Sequence, residues 1–436
     1  MKYDIMEKSK TISAFVNGDY KRFSQHVCYN RAIPNLIDGF KPSQRKAFYI
    51  LLNKRKEVKV QSVSGQMISD ANYHPGDTSA SEAICKMAQD FTGSNNIPPF
   101  IGVGTFGSKF VKESSAPRYI FVKPNPNFYN LFNDFELCEP DDDIENPEPK
   151  FYMPIIPTIL LNGITGIAVG FACKILPYNI LDIIDNVEKC LNGIPQHKMT
   201  PYFHDYIGEI QWIDDKPVLL GKYEIVNTTT IKVTEVPISY DREKYHKLLY
   251  KLESKNLINS FTDDSKTTWD ITIKLPRKSK VFKDPILHLG LSYNLNENIT
   301  IIDENGTLRV LNSVNDIIER FVKYRLDIYG KRIQHKLDII KEETILTKSK
   351  MKFIIEMGQF DFRKTTKKQL KDHFIKLKFS KEHLEKCLGM AVTRLNKESL
   401  IELKKRMDEL KKEYSYYKKI TPKELYQIDL DNIKGK

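Results

Sequence analysis

The chain has 436 residues, 41% of them hydrophobic, with 23 Phe and 22 Tyr, which is ample for packed cores in two to four domains and excludes a wholly disordered protein. A formal net charge of +12 and a pI near 9.1 favour a polyanionic partner. The charged start has no secretory apolar core, no apolar run is long enough to cross a bilayer, and Cys28, Cys85, Cys138, Cys173, Cys190 and Cys387 lie far apart without a CxxC pair; this excludes a disulfide scaffold, a zinc ribbon and a membrane span.

The basic charge gathers early. Residues 1–60 hold 13 Lys/Arg against 5 Asp/Glu, a pattern suited to a phosphate backbone as well as to a solvated surface. The stretch RAIPNLIDGFKPSQRK sets Arg31, Lys41, Arg45 and Lys46 around a Gly-Phe-Lys-Pro turn leading into a helix. After YHPGD a helix is predicted from about Thr78 to Gln89, with Asp77 as its cap and Ser79 with Glu82 as a second capping pattern. Two short helices joined by a tight turn suit a helix-turn-helix or winged-helix DNA binder.

The run GVGTFG matches a GxGxxG pattern, but SNNIPPF precedes it and Ser108-Lys109 reverses the order a phosphate loop requires, so a tight backbone turn is the better reading. In SSAPRYIF, Arg118 directly precedes Tyr119. A tyrosine beside a fixed cation suits phosphodiester attack, because a phenol of pKa about 10 needs activation and the developing phosphorane charge needs a positive neighbour. On its own such a pair is far more often a packing feature.

The connector PDDDIENPEPKFYMPIIP carries Pro140, Pro147, Pro149, Pro154 and Pro157 and cannot continue a helix or central strand, so it marks a boundary; Asp141, Asp142 and Asp143 within it read as a solvated loop, not a metal cluster. From about 150 to 310, β-like runs at Thr229–Val233, Trp269–Ile273 and Ile299–Ile302 alternate with helices. Beyond about 311 the chain is strongly helical. Leu400, Leu403, Met407, Leu410, Tyr414 and Tyr417 follow the 3-4 spacing of a coiled-coil seam, and Ile317, Phe321, Tyr324 and Ile328 offer a second long helix to pair with it. A compact stretch at about 351–394 lies between them. An ordinary helical bundle has the same spacing.

In order and spacing, RAIPNLIDGFKPSQRK, EVKVQSVSGQMISDANYHPGD, AQDFTGSNNI, GVGTFGS, SSAPRYIF, YMPIIPTILLNGITGIAVG, VTEVP and ENITIIDENGTLRVLNSVNDIIERFVKYRLDIY resemble the breakage–reunion core of type IIA DNA topoisomerases, from about residue 20 to beyond 330. The wording is nearer the eukaryotic and bacteriophage forms than the bacterial gyrase A protein. The resemblance implies a multidomain α+β fold: an N-terminal arm and winged-helix (helix-turn-helix) DNA-gate domain over 1–139, a mixed α/β tower domain over 140–310, and over 311–436 a long antiparallel coiled coil with a small helical dimerisation globule. It also implies Tyr119 as the nucleophile of a 5′-phosphotyrosyl link and Arg118 as the cation at the scissile phosphate. Arg31, Lys41, Arg45 and Lys59 match basic positions that contact the DNA backbone, with Gln44 and Lys46 beside them. Ile167 matches the apolar residue that wedges between bases. Relatives carry a histidine immediately before the glycine of the YHxG-type loop; here that position is Pro75, which leaves His74 to take the role from one residue earlier. Thr78 and Glu82 have the spacing of the pair framing the quinolone site in bacterial relatives.

No ATPase domain, Toprim carboxylate motif or DNA-wrapping propeller is visible in the sequence. The expectation is therefore a homodimer working on double-stranded DNA with a companion ATPase/Toprim chain, which would hold Mg²⁺ and ATP; this chain would hold no metal and touch no membrane. Its length looks most like the bacteriophage-type medium subunit, which implies relaxation and decatenation in the cytoplasm, the host's if the source is viral. A gyrase A-like or topoisomerase IV-like chain is the alternative within the class. A non-catalytic DNA-bending architectural protein, favoured only by Pro75, is the alternative outside it.

Overall fold

The structure is a computed structural model that describes residues 11–358, 365–377 and 379–435. These form two compact units: one runs to Arg325 and takes up the chain again at Leu430, the other is Leu326–Asp429. The architecture is mixed α+β, as expected. None of the described helices is long and apolar enough to cross a membrane.

The first unit opens with a helical arm over residues 12–32. Helices α1 (Ile12–Phe15) and α2 (Lys21–Val27) are joined and followed by wider π-type turns, and Thr11 caps the start by accepting the Ala14 N–H. Only Cys28 and Ala32 of the arm are buried. Next come α3 (Pro42–Leu52), β1 (Val58–Lys59), α4 (Val60–Asp70), α5 (Asp77–Ala88), β2 (Phe100–Val103) and β3 (Phe121–Pro124). Proline at the first position of α3 suits a helix start, since its missing N–H would have no partner there. Helix α5 begins one residue before the predicted Thr78: Gly76, at φ +108, takes the cap position and Asp77 becomes the first helical residue, where its charge meets the positive helix end. The three strands pair antiparallel in the order β1-β3-β2.

After α6 (Pro126–Tyr129), the proline-rich stretch interrupts regular structure, but its second half is not a linker. Residues Phe151, Tyr152, Met153, Ile155 and Ile156 are buried, Tyr152 N–H donates to Asp38 and Ile155 N–H to the Leu131 carbonyl. Tyr152 also joins Phe40, Phe48, Phe128 and Phe132 in one aromatic cluster, a large apolar payload that locks the stretch into the core. Helix α7 (Thr158–Asn162) leads into the hairpin β4 (Ile164–Ile167) and β5 (Ala172–Ile175), then α8 (Ile180–Leu191).

The rest of this unit carries β6 (Glu209–Ile213), β7 (Lys216–Leu220), β8 (Lys222–Asn227), β9 (Thr230–Glu235), α9 (Arg242–Ser254), β10 (Ser260–Asp263), β11 (Ile271–Lys274), α10 (Pro285–His288), β12 (Ser292–Asn294), β13 (Ile299–Ile302) and β14 (Leu308–Leu311). They form antiparallel sheets in the orders β10-β11-β9-β8 and β12-β7-β6, with β13-β14 as a hairpin. Alternation along β9 turns Ile231, Val233 and Glu235 inward, against a core that includes Tyr245, Leu249 and Trp269.

Helix α11 (Val314–Met357) starts in the first unit and enters the second. Its early seam, Ile317, Phe321 and Tyr324, does not pair with the coiled coil. Those residues belong to the first unit, where the Tyr324 ring meets Phe151 edge-on and the fully buried Arg325 bonds Asp134 at 2.9 Å. The second unit holds the remainder of α11 with α12 (Lys367–Lys376), α13 (Lys381–Leu388), α14 (Lys397–Lys419) and most of α15 (Pro422–Lys434). Here α14 does turn its predicted seam inward, with Met407 and Leu410 buried. Arg406 of α14 grips Glu343 of α11 with two bonds, 2.9 and 3.0 Å. A small cluster of Phe353, Phe374, Phe379, Leu384 and Cys387 forms a separate tip.

Candidate active site

Tyr119 lies in a turn immediately before β3, and local hydrogen bonding explains why it points outward. Its own N–H closes the turn onto the Ala116 carbonyl at 2.9 Å. The first N–H groups of α4, which have no partner within the helix, are met from this turn: Val60 N–H donates to Ile120 and Gln61 N–H to Pro117. Ile120 is buried, so the neighbouring Tyr119 is turned out and stands 67% exposed. The Arg118 guanidinium lies over the Tyr119 ring, 4.8 Å from its centroid, and makes no ion pair among the described residues. The glycine run packs behind this turn. Gly104, at φ +108, faces Ile120 so closely that a Cβ there would stand 2.9 Å from its Cγ2. The run ends β2 and continues without a helix, which leaves a nucleotide loop no helix N-terminus to use.

Beside Arg118 is a cleft of about 340 Å³ between the 114–118 loop and the starts of α4 and α5. Asp77, Thr78 and Glu82 line it from α5, Gln61 from α4, and Ser114 and Ser115 from the loop. Sequence reasoning singles out Thr78 and Glu82 but misses Gln61 and the two serines. Ser–Ser before Ala-Pro-Arg-Tyr is the only available signal for the latter.

His74 is exposed and makes no hydrogen bond or ion pair among the described residues. Its neighbour Tyr73 is buried, which pushes the phenol up against the opposing pull of nearby Arg31. The arm's end and the YHPGD loop therefore meet. Arg31 and Lys59 are exposed, the latter with its ammonium 5.8 Å from the Phe121 ring centre. Ile167 is 89% exposed at the end of β4, the arrangement a wedge needs.

The remaining expected DNA contacts turn inward. Arg45 is buried and pairs with buried Asp38. Lys46 is buried too, and its three donors all have acceptors: the Ala71 carbonyl at 2.6 Å, Asn146 Oδ1 at 2.8 Å and Glu148 Oε1 at 2.6 Å. Gln44 folds back so that its Oε1 accepts the Lys41 N–H at 2.9 Å, and Lys41 Nζ donates to the Thr165 carbonyl at 2.6 Å. The expectation that Arg45 and Lys46 meet DNA is corrected: neither reaches solvent, and desolvating an ion is tolerable only because each has its partner. Among the described residues there is no group of three or more His, Cys, Asp or Glu placed to hold a metal ion.

The family model of the DNA gyrase/topoisomerase IV A protein, the cleavage chain of those two enzymes, matches residues 31–433. The DNA topoisomerase medium subunit of Enterobacteria phage T4 is 33% identical over 98% of this chain and 99% of its own length. DNA topoisomerase 2-alpha of Rattus norvegicus is 30% identical over 96% of this chain, which spans only 31% of that protein. The crystal structure of the Plasmodium falciparum topoisomerase II DNA-binding, cleavage and re-ligation domain superposes with a TM-score of 0.88 at 28% identity, covering 96% of this chain and 62% of that one. Each of these is a type II DNA topoisomerase or part of one. The chain belongs to the DNA gyrase/topoisomerase IV A family.

Proposed function

We propose that this chain is the DNA-cleaving, strand-passing component of a type II topoisomerase, with Tyr119 as its nucleophile. The observation that carries the assignment is an exposed tyrosine on a turn clamped to the start of α4, with a free cation, Arg118, against its ring. Tyr119 Oη attacks a backbone phosphorus, the bond from phosphorus to the 3′ oxygen breaks, and the departing oxygen takes up a proton. One phosphodiester replaces another, so rejoining needs no outside energy. Arg118 stabilises charge on the phosphoryl oxygens, and His74 is the nearest available histidine for the role vacated at Pro75. Arg31 and Lys59 are the exposed cations for the DNA backbone, and Ile167 enters the base stack to bend the duplex.

In this reading the helices α3–α5 with sheet β1-β3-β2 are the winged-helix gate domain. The sheets β6–β12 are the tower, and α11 with α14 is the coiled coil that closes a second gate. Exposed Ile355, Ile375 and Val392 at the tip favour a homodimer contact there. Ile12, Phe15, Val16, Tyr20 and Phe23 on the arm are exposed apolar groups that a companion chain would cover. That companion would carry the ATPase and Toprim parts, hold Mg²⁺ beside the phosphate, and bind ATP for the conformational cycle. Relaxation and decatenation in a host cytoplasm follow from the likeness to the phage protein.

The test is Tyr119→Phe, assayed with the companion chain, Mg²⁺ and supercoiled plasmid. Loss of covalent protein–DNA adducts with DNA binding retained is expected; adducts that persist would overturn the assignment. Pro75 favours a second reading, DNA bending without chemistry, which requires that the parent chain also form no adduct under those conditions.

A further inference from the structure

The hairpin that presents Ile167 is braced along both edges, leaving only its tip free. Ala168 N–H closes the tip onto the Phe171 carbonyl at 2.9 Å, and Gly170 takes the left-handed position. On one edge Lys174 and Asn298 exchange backbone hydrogen bonds of 2.8 Å in both directions. On the other, side chains from more than 120 residues away reach the hairpin's carbonyls: Lys41 Nζ donates to Thr165 at 2.6 Å, and Ser24 Oγ to Val169 at 2.7 Å. Between these two ties, Gly166 lies against the arm so tightly that a Cβ on it would stand 2.0 Å from the Ala32 carbonyl oxygen. The base of Lys41 is itself fixed, by Gln44 on its N–H and by Pro42 beginning α3.

We infer that Lys41 and Ser24 are positioning residues for the wedge: they set the direction in which Ile167 enters the duplex, and the Lys41 ammonium serves the Thr165 carbonyl in place of a DNA phosphate. The inference rests on the reading of Ile167 as the wedge. A two-stranded hairpin is only marginally stable by itself, whereas a wedge has to hold its direction against stacked bases that resist opening. Ties to two carbonyls of the hairpin, one from the arm and one from the start of α3, supply that resistance. Lys41 is half-buried and burial lowers its pKa, with Lys86 adding to the effect, so a neutral-to-charged balance here is set by the protein and not by bulk solvent.

A phosphate contact and a positioning tie make opposite predictions. The full chain is titrated with an end-labelled duplex of about 30 base pairs, intact or carrying a mismatch at the bent step, while energy transfer reports the bend. For Lys41→Met, affinity for the intact duplex should fall about tenfold with a smaller bend, and the flexible duplex should restore most of it. The slope of log affinity against log salt should stay unchanged, and Lys41→Arg should recover the bend because it keeps a donor. Ser24→Ala, on an exposed stretch of the arm, should act in the same direction more weakly, and it decides the matter if Lys41→Met does not fold. Equal losses on both duplexes with a salt slope lower by about one would make Lys41 a phosphate contact and overturn the inference. Ile167→Ala separates the two ideas. If it leaves the bend intact, the wedge reading fails; if it abolishes the bend while the Lys41 and Ser24 variants do not alter it, the wedge stands and the positioning role falls.

Discussion

Arg45 and Asp38 form a two-pronged ion pair closed off from solvent, with Nε to Oδ2 at 2.7 Å and Nη2 to Oδ1 at 3.0 Å. Asp38 also accepts the N–H groups of Phe40 and Tyr152, so this carboxylate organises the turn before α3 and the buried stretch after the proline-rich segment. Removing the guanidinium leaves a buried charge uncompensated. Arg45→Ala should cost about 3–5 kcal/mol, read as a lower midpoint in urea, with the salt slope of DNA binding unchanged in the folded fraction. Unchanged stability with weaker DNA binding would restore the DNA contact expected from the sequence.

Arg118 should matter to the reaction and little to binding. Arg118→Ala is expected to slow adduct formation by about 10²–10³-fold with the companion chain and Mg²⁺ present, at nearly unchanged DNA affinity. Arg118→Lys should fall between the two, because an ammonium keeps the charge and loses the planar fork. A loss confined to affinity would place Arg118 outside the chemistry.

Gly104 tests whether the turn that aims Tyr119 is held from behind. Alanine there is strained at φ +108 and meets Ile120 at 2.9 Å, so Gly104→Ala should lose about 1–3 kcal/mol of stability and reduce adduct formation. Pairing it with Ile120→Val removes one of the opposing methyl groups and should return part of both losses. Full activity in the single variant would show that Tyr119 tolerates movement of its support.

Glu235 gives a pH signature. It is 1% exposed, and burial raises its carboxyl above the ordinary range despite Lys109 at 3.5 Å and the Val236 N–H. A carboxyl raised in the folded state contributes its stability in full below the unfolded pKa of about 4.3, and loses it as pH rises through the folded value. Glu235→Gln has no such loss. The variant's Tm should therefore match the parent's in acid and exceed it at pH 8; a gap that shrinks with rising pH would contradict the burial argument.

Much of this is legible without coordinates. The 3-4 spacing from Leu400 to Tyr417 identifies a helix seam because a single helix face repeats at that interval, and Ile299–Ile302 announces a strand through an unbroken apolar run. The early seam of α11 is misassigned for the same reason: spacing reports that a face is buried and not what covers it, here the first unit. Arg45 and Lys46 read as surface cations because a sequence gives charges without their partners. Asp38 is seven positions from Arg45, but Glu148 lies 102 positions beyond Lys46. Tyr119 is the easier case, since its setting is local: the turn, Arg118 and Ile120 are its immediate neighbours.

The inward turn of Gln44, Arg45 and Lys46 changes what the string GFKPSQRK is good for. As a marker it certifies that a chain can build this scaffold, and it would do so equally for a descendant that had stopped cutting DNA. Sorting working enzymes from inert look-alikes falls to the pair Arg118-Tyr119, two exposed residues whose loss would leave the scaffold standing.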